Sequence, residues 1–206
     1  VLALSGDTGK PVSRGGGAVA NDGAVLRAVA RGDLTHFDAF VDRHKVGLLN
    51  YIHQRVRDAH RAEDLTQEVF LRAFQAAARG EYRGRADASA WLFAIARNCA
   101  TDYLRTLQQS PSALQADMDD HPDNARDVQG RVPGGVQRQP RFRVDQVLAQ
   151  LPPPQREVVA LKVFADLSFR EIAEVMDCPV STAKARMGYA LRRLAGLLSP
   201  GQGACK

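Results

Sequence analysis

The stretch Leu167-Ser-Phe-Arg-Glu-Ile-Ala-Glu-Val-Met176, Asp177-Cys-Pro179, Val180-Ser-Thr-Ala-Lys-Ala-Arg-Met-Gly-Tyr-Ala-Leu-Arg-Arg-Leu194 decides how the chain folds. Ser168 can cap a first helix, and Glu171, three residues on, completes a capping box. Ile172, Ala173 and Met176 give that helix one apolar face. Asp177 to Pro179 then end it, because proline lacks the N–H that a continuing helix needs. A second helix follows at once, with Ser181 or Thr182 available as its cap. On a helical wheel Val180, Ala183, Met187, Ala190, Leu191 and Leu194 share one side. The other side carries Ser181, Thr182, Ala185, Arg186, Tyr189, Arg192 and Arg193, with Lys184 at its edge. No acidic residue occurs from Cys178 to Lys206. Small side chains early in this helix let its backbone approach a partner, and the flanking Lys and Arg can neutralise phosphates. A helix-turn-helix places its second helix in a DNA major groove in this way. A solvated helix on a small bundle, with an ordinary basic surface, is the alternative; the short turn and the missing acids weigh against it.

The totals are compatible with this reading. A length of 206 residues allows one large domain or two small ones, and a hydrophobic share of 45% suffices for packed cores. The net charge of +5 favours a polyanionic partner. Cys99, Cys178 and Cys205 are odd in number and far apart, so they form neither a disulfide framework nor a zinc spacing. His36, His44, His53 and His60 have no ligand spacing either, so no metal or cofactor is expected. Apolar runs are far short of a membrane span and the first residues do not read as a signal peptide, which predicts a soluble, intracellular protein.

Upstream of the opening stretch the patterned segments are helical, with no strand-like alternation. Residues 1–24 are rich in Gly, Ser and Ala and read as a disordered arm. Val25, Leu26 and Val29 begin a helix that breaks at Arg31-Gly32-Asp33, where Asp33 is placed to cap the next one. Phe37, Phe40, Val41, Leu48, Leu49 and Ile52 continue an apolar stripe. From Ala62 to Phe74, the residues Ala62, Leu65, Val69 and Ala73 form a buried stripe. The opposite side presents Asp64, Gln67, Glu68 and Leu71. Acids around an exposed leucine suit a protein partner with basic residues, since a negative face repels DNA; a plain solvated face with one stray leucine is the other reading.

The loop Arg79-Gly-Glu-Tyr-Arg-Gly-Arg85 combines arginines with the ring of Tyr82, which suits unstacked bases as well as an ordinary surface loop. Asp87 or Ser89 starts a long helix whose core face is Trp91, Leu92, Ile95, Ala96, Cys99 and Tyr103. Its far side carries Phe93, Arg97, Asn98, Thr101, Leu104 and Arg105, fit for nucleic acid or for an interdomain contact. Residues 109–142, broken by Pro and Gly and acidic in the middle, read as a flexible linker. Helical patterning resumes with Val144, Val147, Leu148 and Leu151. After Pro152 to Pro154, Val158, Val159, Leu161, Val163 and Phe164 supply the core for the helix-turn-helix.

The expected fold is all-α: two small helical domains joined by a flexible linker, the second with a helix-turn-helix. With Ala62-Glu-Asp-Leu-Thr-Gln-Glu-Val-Phe70, Ala90-Trp-Leu-Phe-Ala-Ile-Ala-Arg-Asn98, Phe169-Arg-Glu-Ile-Ala173 and Pro179-Val-Ser-Thr-Ala-Lys-Ala-Arg186 in this order, the chain resembles the extracytoplasmic-function (ECF) group of sigma-70-family RNA polymerase sigma factors. The resemblance divides it into an arm (1–24), a polymerase-binding and promoter −10 domain (25–108), a linker (109–142), a promoter −35 domain (143–199) and a tail (200–206). It implies that Asp64, Gln67, Glu68 and Leu71 face the β′ clamp helices of core RNA polymerase, with the β subunit as a further partner. Arg79, Tyr82, Arg83, Arg85, Arg97, Asn98 and Arg105 are implied to engage the −10 strand. Ser181, Thr182, Lys184, Ala185, Arg186, Tyr189, Arg192 and Arg193 are implied to engage −35 DNA. It further implies a non-enzymatic cytoplasmic protein, held by an anti-sigma factor, in some members at the inner membrane. Ser181-Thr-Ala-Lys-Ala-Arg186 departs from the family's usual Gly-Thr-Val-Lys-Ser-Arg, which bears on the promoter sequence rather than on the architecture. A stand-alone helix-turn-helix regulator accounts for the second domain but leaves the acidic helix unexplained. A nuclease has little in the sequence to support it.

Overall fold

A computed structural model describes residues 21–84, 86–109 and 146–198, and the expectations for the arm up to residue 20, Arg85, the linker through residue 145 and the tail from residue 199 lie outside them. Among the described residues the chain is helical. Helix α1 (Asp22–Val29) is capped by Asn21, whose side chain accepts from Gly23 N at 2.9 Å, so regular structure begins ahead of residue 25. Helices α2 (Phe37–Val56), α3 (Ala59–Ala78) and α4 (Ala88–Gln109) complete the N-terminal domain. A helical turn over residues 146–149 leads into α5 (Pro153–Phe164), α6 (Phe169–Val175) and α7 (Val180–Leu198).

Each boundary has a local cause. Asp58 caps α3 by accepting from Arg61 N at 3.0 Å, and Gly80 at φ +73° turns the chain out of it. Pro153 starts α5, where a missing N–H costs nothing. The expected capping box of α6 forms: Glu171 N donates to Ser168 Oγ at 3.3 Å, and Ser168 N donates to Glu171 Oε2 at 2.6 Å. Asp177, at φ +49°, makes the turn between α6 and α7, with Cys178 N donating to Ala173 O at 3.0 Å. Two expected caps are different in the structure. Asp33 does not cap α2; its carboxylate accepts from Thr35 N and Oγ1 in a tight turn of its own, and His36 precedes the helix without a side-chain cap. Helix α7 already starts at Val180, which puts Ser181 and Thr182 inside its first turn rather than at its cap.

The core residues of the N-terminal domain lie largely where the periodicity puts them. Val25, Leu26, Val29, Phe40, Leu48, Ile52, Ala62, Leu65, Val69 and Ala73 are buried. Helix α2 packs against α3 and α4, and also against α5, so it is covered on more than one side and Tyr51 is buried beside Ile52. In the second domain α5 and α6 both support α7, through Val158, Leu161, Ile172, Ala183 and Ala190. Arg156 clasps the lead-in turn, donating to the carbonyls of Leu148, Ala149 and Leu151 at 2.8–2.9 Å. Three apolar side chains assigned to this core point outward instead. Val163 at the end of α5 is exposed, and so are Val180 and Leu191, because α7 buries a narrower stripe (Ala183, Met187, Ala190) than the wheel allows. The buried side chains of both domains form one continuous cluster.

Candidate protein and nucleic-acid interfaces

On α3 the buried stripe leaves Asp64, Gln67 and Leu71 exposed and Glu68 half-buried, at helical spacing along one side. Leu71 is 57% exposed. The face is less negative than the sequence suggests. Glu68 pairs with Arg72, one turn on, and Asp64 lies 3.7 Å from Arg61. The hydrogen bond that Arg72 donates to the Glu68 carboxylate holds its guanidinium above its ordinary pKa. Exposed pairs of this kind contribute about 0–1 kcal/mol, so a partner's basic residues can displace these arginines at small cost.

The loop after α3 and the outer side of α4 are arranged differently from the sequence expectation. Tyr82 is not a surface ring. It is 8% exposed, stacks edge-on against Trp91 with centroids 5.3 Å apart and donates its hydroxyl to Ala86 O at 3.1 Å. Burial pushes its phenol pKa up, against the nearby Arg27. The glycine at position 23 makes room for it, since a Cβ there would stand 2.8 Å from the Tyr82 oxygen. Arg79 pairs with Glu81 at 2.6 Å and Arg105 lies 3.8 Å from Asp102, while Arg83 and Asn98 are exposed. Phe93, expected on the outer side of α4, is only 1% exposed and stacks edge-on against Tyr51. Next on the same face, Arg97 donates through Nε to Glu157 Oε1 of α5 at 3.2 Å. Between the two readings open for this face, the structure displays the interdomain contact. Cys99 is buried, and burial raises its thiol pKa against the pull of Arg72, which suits a packing role.

Helix α7 presents its expected outer side. Ser181, Lys184, Ala185, Tyr189, Arg192 and Arg193 are exposed, and Thr182 and Arg186 half-buried. Among the described residues, Lys184, Arg186, Arg192 and Arg193 take part in no salt bridge, so their charge is available to a polyanion. Arg192 rests 4.8 Å from the centroid of the Tyr189 ring, which holds both side chains on the outer face. Among the described residues no group of His, Cys, Asp and Glu could hold a metal ion, and no helix is long and apolar enough to cross a membrane.

Sequence reading missed the residues that join the domains: Gly47, Tyr51, Arg55 and Glu157. A lone glycine inside a helical pattern is the one signal that could have pointed to them, since such a glycine commonly marks a close approach.

A helix-turn-helix with an acid-free second helix, whose cations make no salt bridge among the described residues, joined in one chain to a helical domain with an exposed leucine-and-acid stripe, defines a two-domain DNA-reading protein. Residues 40–110 match the family described as Sigma-70 region 2, and residues 141–194 match Sigma-70, region 4. The chain is 30% identical over 184 residues to RNA polymerase sigma-H factor of Pseudomonas aeruginosa, covering 87% of this chain and 94% of that one. It is 30% identical over 168 residues to the ECF RNA polymerase sigma factor SigC of Mycobacterium tuberculosis, covering 81% and 85%. Its fold is similar to that of CnrH solved in complex with the cytosolic domain of CnrY, at a TM-score of 0.63 and 24% identity over 86% of this chain and 97% of the other. The chain belongs to the ECF group of sigma-70-family RNA polymerase sigma factors.

Proposed function

We propose that the chain contributes promoter choice and strand opening to RNA polymerase and no chemistry of its own. The observation that carries this reading is the presence, in one chain, of the Asp64–Gln67–Glu68–Leu71 stripe on α3 and of α7 cations that make no salt bridge among the described residues. The α3 stripe docks on the β′ clamp helices of core polymerase, with Leu71 as its apolar anchor. The β subunit provides a further contact. In α7, Lys184, Arg186, Arg192 and Arg193 neutralise −35 phosphates, which sets register, while Ser181, Thr182 and Ala185 meet base edges. Arg79, Arg83, Arg97, Asn98 and Arg105 attend the −10 strand, where separating bases costs a few kcal/mol that polymerase contacts help to offset. Tyr82, as a core ring, takes its part by holding the loop that carries Arg83. The exposed apolar side chains on both domains leave room for an anti-sigma partner, which would hold the protein in the cytoplasm or at the inner membrane.

Run-off transcription with purified core polymerase on a promoter library tests the assignment. The expected result is promoter-selective initiation that Glu68→Lys abolishes along with co-purification of the polymerase. A chain that never associates with polymerase, or a Glu68→Lys variant that transcribes normally, would overturn the assignment; tight promoter binding by the isolated chain would favour a stand-alone regulator.

A further inference from the structure

Helix α1 carries an exposed arginine, Arg27, whose reach is marked by two glycines. A Cβ placed on Gly23, one turn back along α1, would stand 3.4 Å from Arg27 Nη1. A Cβ placed on Gly84, in the loop between α3 and α4, would stand 3.1 Å from the same nitrogen. The guanidinium therefore lies between α1 and the loop that carries Arg83. It also lies close to the ring that anchors this loop, and its charge pulls the Tyr82 phenol pKa down against the larger effect of burial.

The acids around this guanidinium are engaged elsewhere. Asp22 is held by Arg43 and His44, Glu81 pairs with Arg79 at 2.6 Å, and Asp87 accepts from Ser89 N at 2.8 Å, so that Arg27 takes part in no salt bridge among the described residues. A cation in the last turn of a helix suits the macrodipole when it stays by the terminal carbonyls. Arg27 does not stay there. Its side chain leans back a full turn to Gly23, the direction helical side chains take, and ends beside the loop. At that point the loop is bare: Gly84 is exposed, sits at φ +69° and has no side chain to stand between the guanidinium and a strand lying along the backbone. Arg83, exposed, is the next residue back along the chain. Two cations without a carboxylate between them thus border an open stretch of backbone, an arrangement that suits a phosphate.

We propose that Arg27 binds a backbone phosphate of the separated −10 strand where that strand passes Gly84, so that α1 supplies a cation to the same site as the Arg83 loop. This rests on the −10 role proposed for Arg83. A phosphate contact fixes where the strand lies without reading its bases, and Arg27 does so from a helix rather than from the loop itself. The position of the strand is thereby tied to α1, which Asp22 in turn joins to α2.

The test uses core polymerase reconstituted with the full chain or with one of three variants. Arg27→Gln removes the charge and keeps a polar side chain, Arg27→Lys keeps the charge, and Arg31→Gln removes an equally exposed charge one turn further on, beside Asp33. Fluorescence anisotropy over a range of salt reads binding of two labelled single-stranded oligonucleotides, one with the −10 sequence of a promoter the parent transcribes and one with that sequence scrambled. For Arg27→Gln the expected result is a log–log salt slope flatter by about 0.7 and affinity lower by about fivefold near 0.1 M salt, on both oligonucleotides. Arg27→Lys should keep the parent's slope, and Arg31→Gln both its slope and its affinity. Parental slope and affinity in Arg27→Gln would overturn the proposal, as would an equal loss in Arg31→Gln, which would reduce the effect to general charge. A loss confined to the −10 sequence would make Arg27 a base reader, and weaker binding at the parental slope with a lowered melting temperature would make it a support for Tyr82; either overturns the phosphate contact. Each of these results leaves the functional assignment standing if the parent complex initiates selectively. A parent complex that binds neither oligonucleotide better than core polymerase alone would sink the −10 assignment, and this proposal with it.

Discussion

Helices α4 and α7 carry faces of similar composition, each with arginines, a small polar group and an aromatic ring, yet they stand in different states. On α7 the cations have no acidic partner among the described residues and Tyr189 is 57% exposed. On α4 the ring of Phe93 is sealed and Arg97 is held by an acid from the other domain. Composition states what a face is able to bind; the rest of the chain states whether that face is available. An acid-free run from residue 178 onward protects α7 from capture by its own neighbours. No comparable protection exists for α4, because the acid that reaches it comes from sixty residues further along the chain.

The largest effect expected from this contrast is on stability. Phe93→Ala should cost about 3–5 kcal/mol, the range for deleting a buried aromatic ring, whereas Tyr189→Ala should stay within about 0.5 kcal/mol. Denaturant titration of the two variants checks it, and equal losses would erase the distinction between the faces. Next is the salt dependence of duplex binding by the polymerase-bound protein on −35 DNA. Arg192→Ala should flatten the log–log slope by about 0.9 for the one phosphate contact removed, with weakening similar at every promoter. A promoter-dependent loss would make this arginine a base reader instead.

The smallest expected effect lies in acid. Burial pushes the Asp22 carboxyl up, but hydrogen bonds from His44 (2.8 Å) and Arg43 outweigh it and hold its pKa below the usual aspartate value. A group with a depressed folded-state pKa adds stability that is present above its unfolded value, near 4 (roughly 3.9), and lost as pH falls through the folded value. Asp22→Asn should therefore cost about 1 kcal/mol at neutral pH and nothing once the parent carboxyl is protonated, so the two stability curves converge below about pH 4. Curves that stay parallel into acid would show that Asp22 does not pin α1 to α2. Helix α7, with no acid of its own, should show no such limb.

The site was legible where it depends on neighbours in the chain. Ser168 and Glu171 meet within one helical turn, and the stripe from Asp64 to Leu71 follows from the period of α3 alone. The paired arginines of that stripe, Arg61 and Arg72, were equally readable from their three- and four-residue spacing, and they temper its charge. Tyr82 was not legible. A ring beside Gly and Arg has the composition of a surface loop, and only the packing of Trp91 and the empty space at Gly23 draw it inward. Leu191 and Val163 fail in the opposite sense, since a wheel assigns them a side but not how much of that side a neighbour covers.

Helix periods, the capping box of α6, the acid-free recognition helix and the order of motifs were settled along the chain, because they rest on interactions within a few residues. Which outer face is closed was settled in three dimensions. Gly47, Tyr51, Arg55 and Arg97 become one surface only when α5 lies across α2 and α4, and a carboxylate as distant in sequence as Glu157 can meet them only through packing.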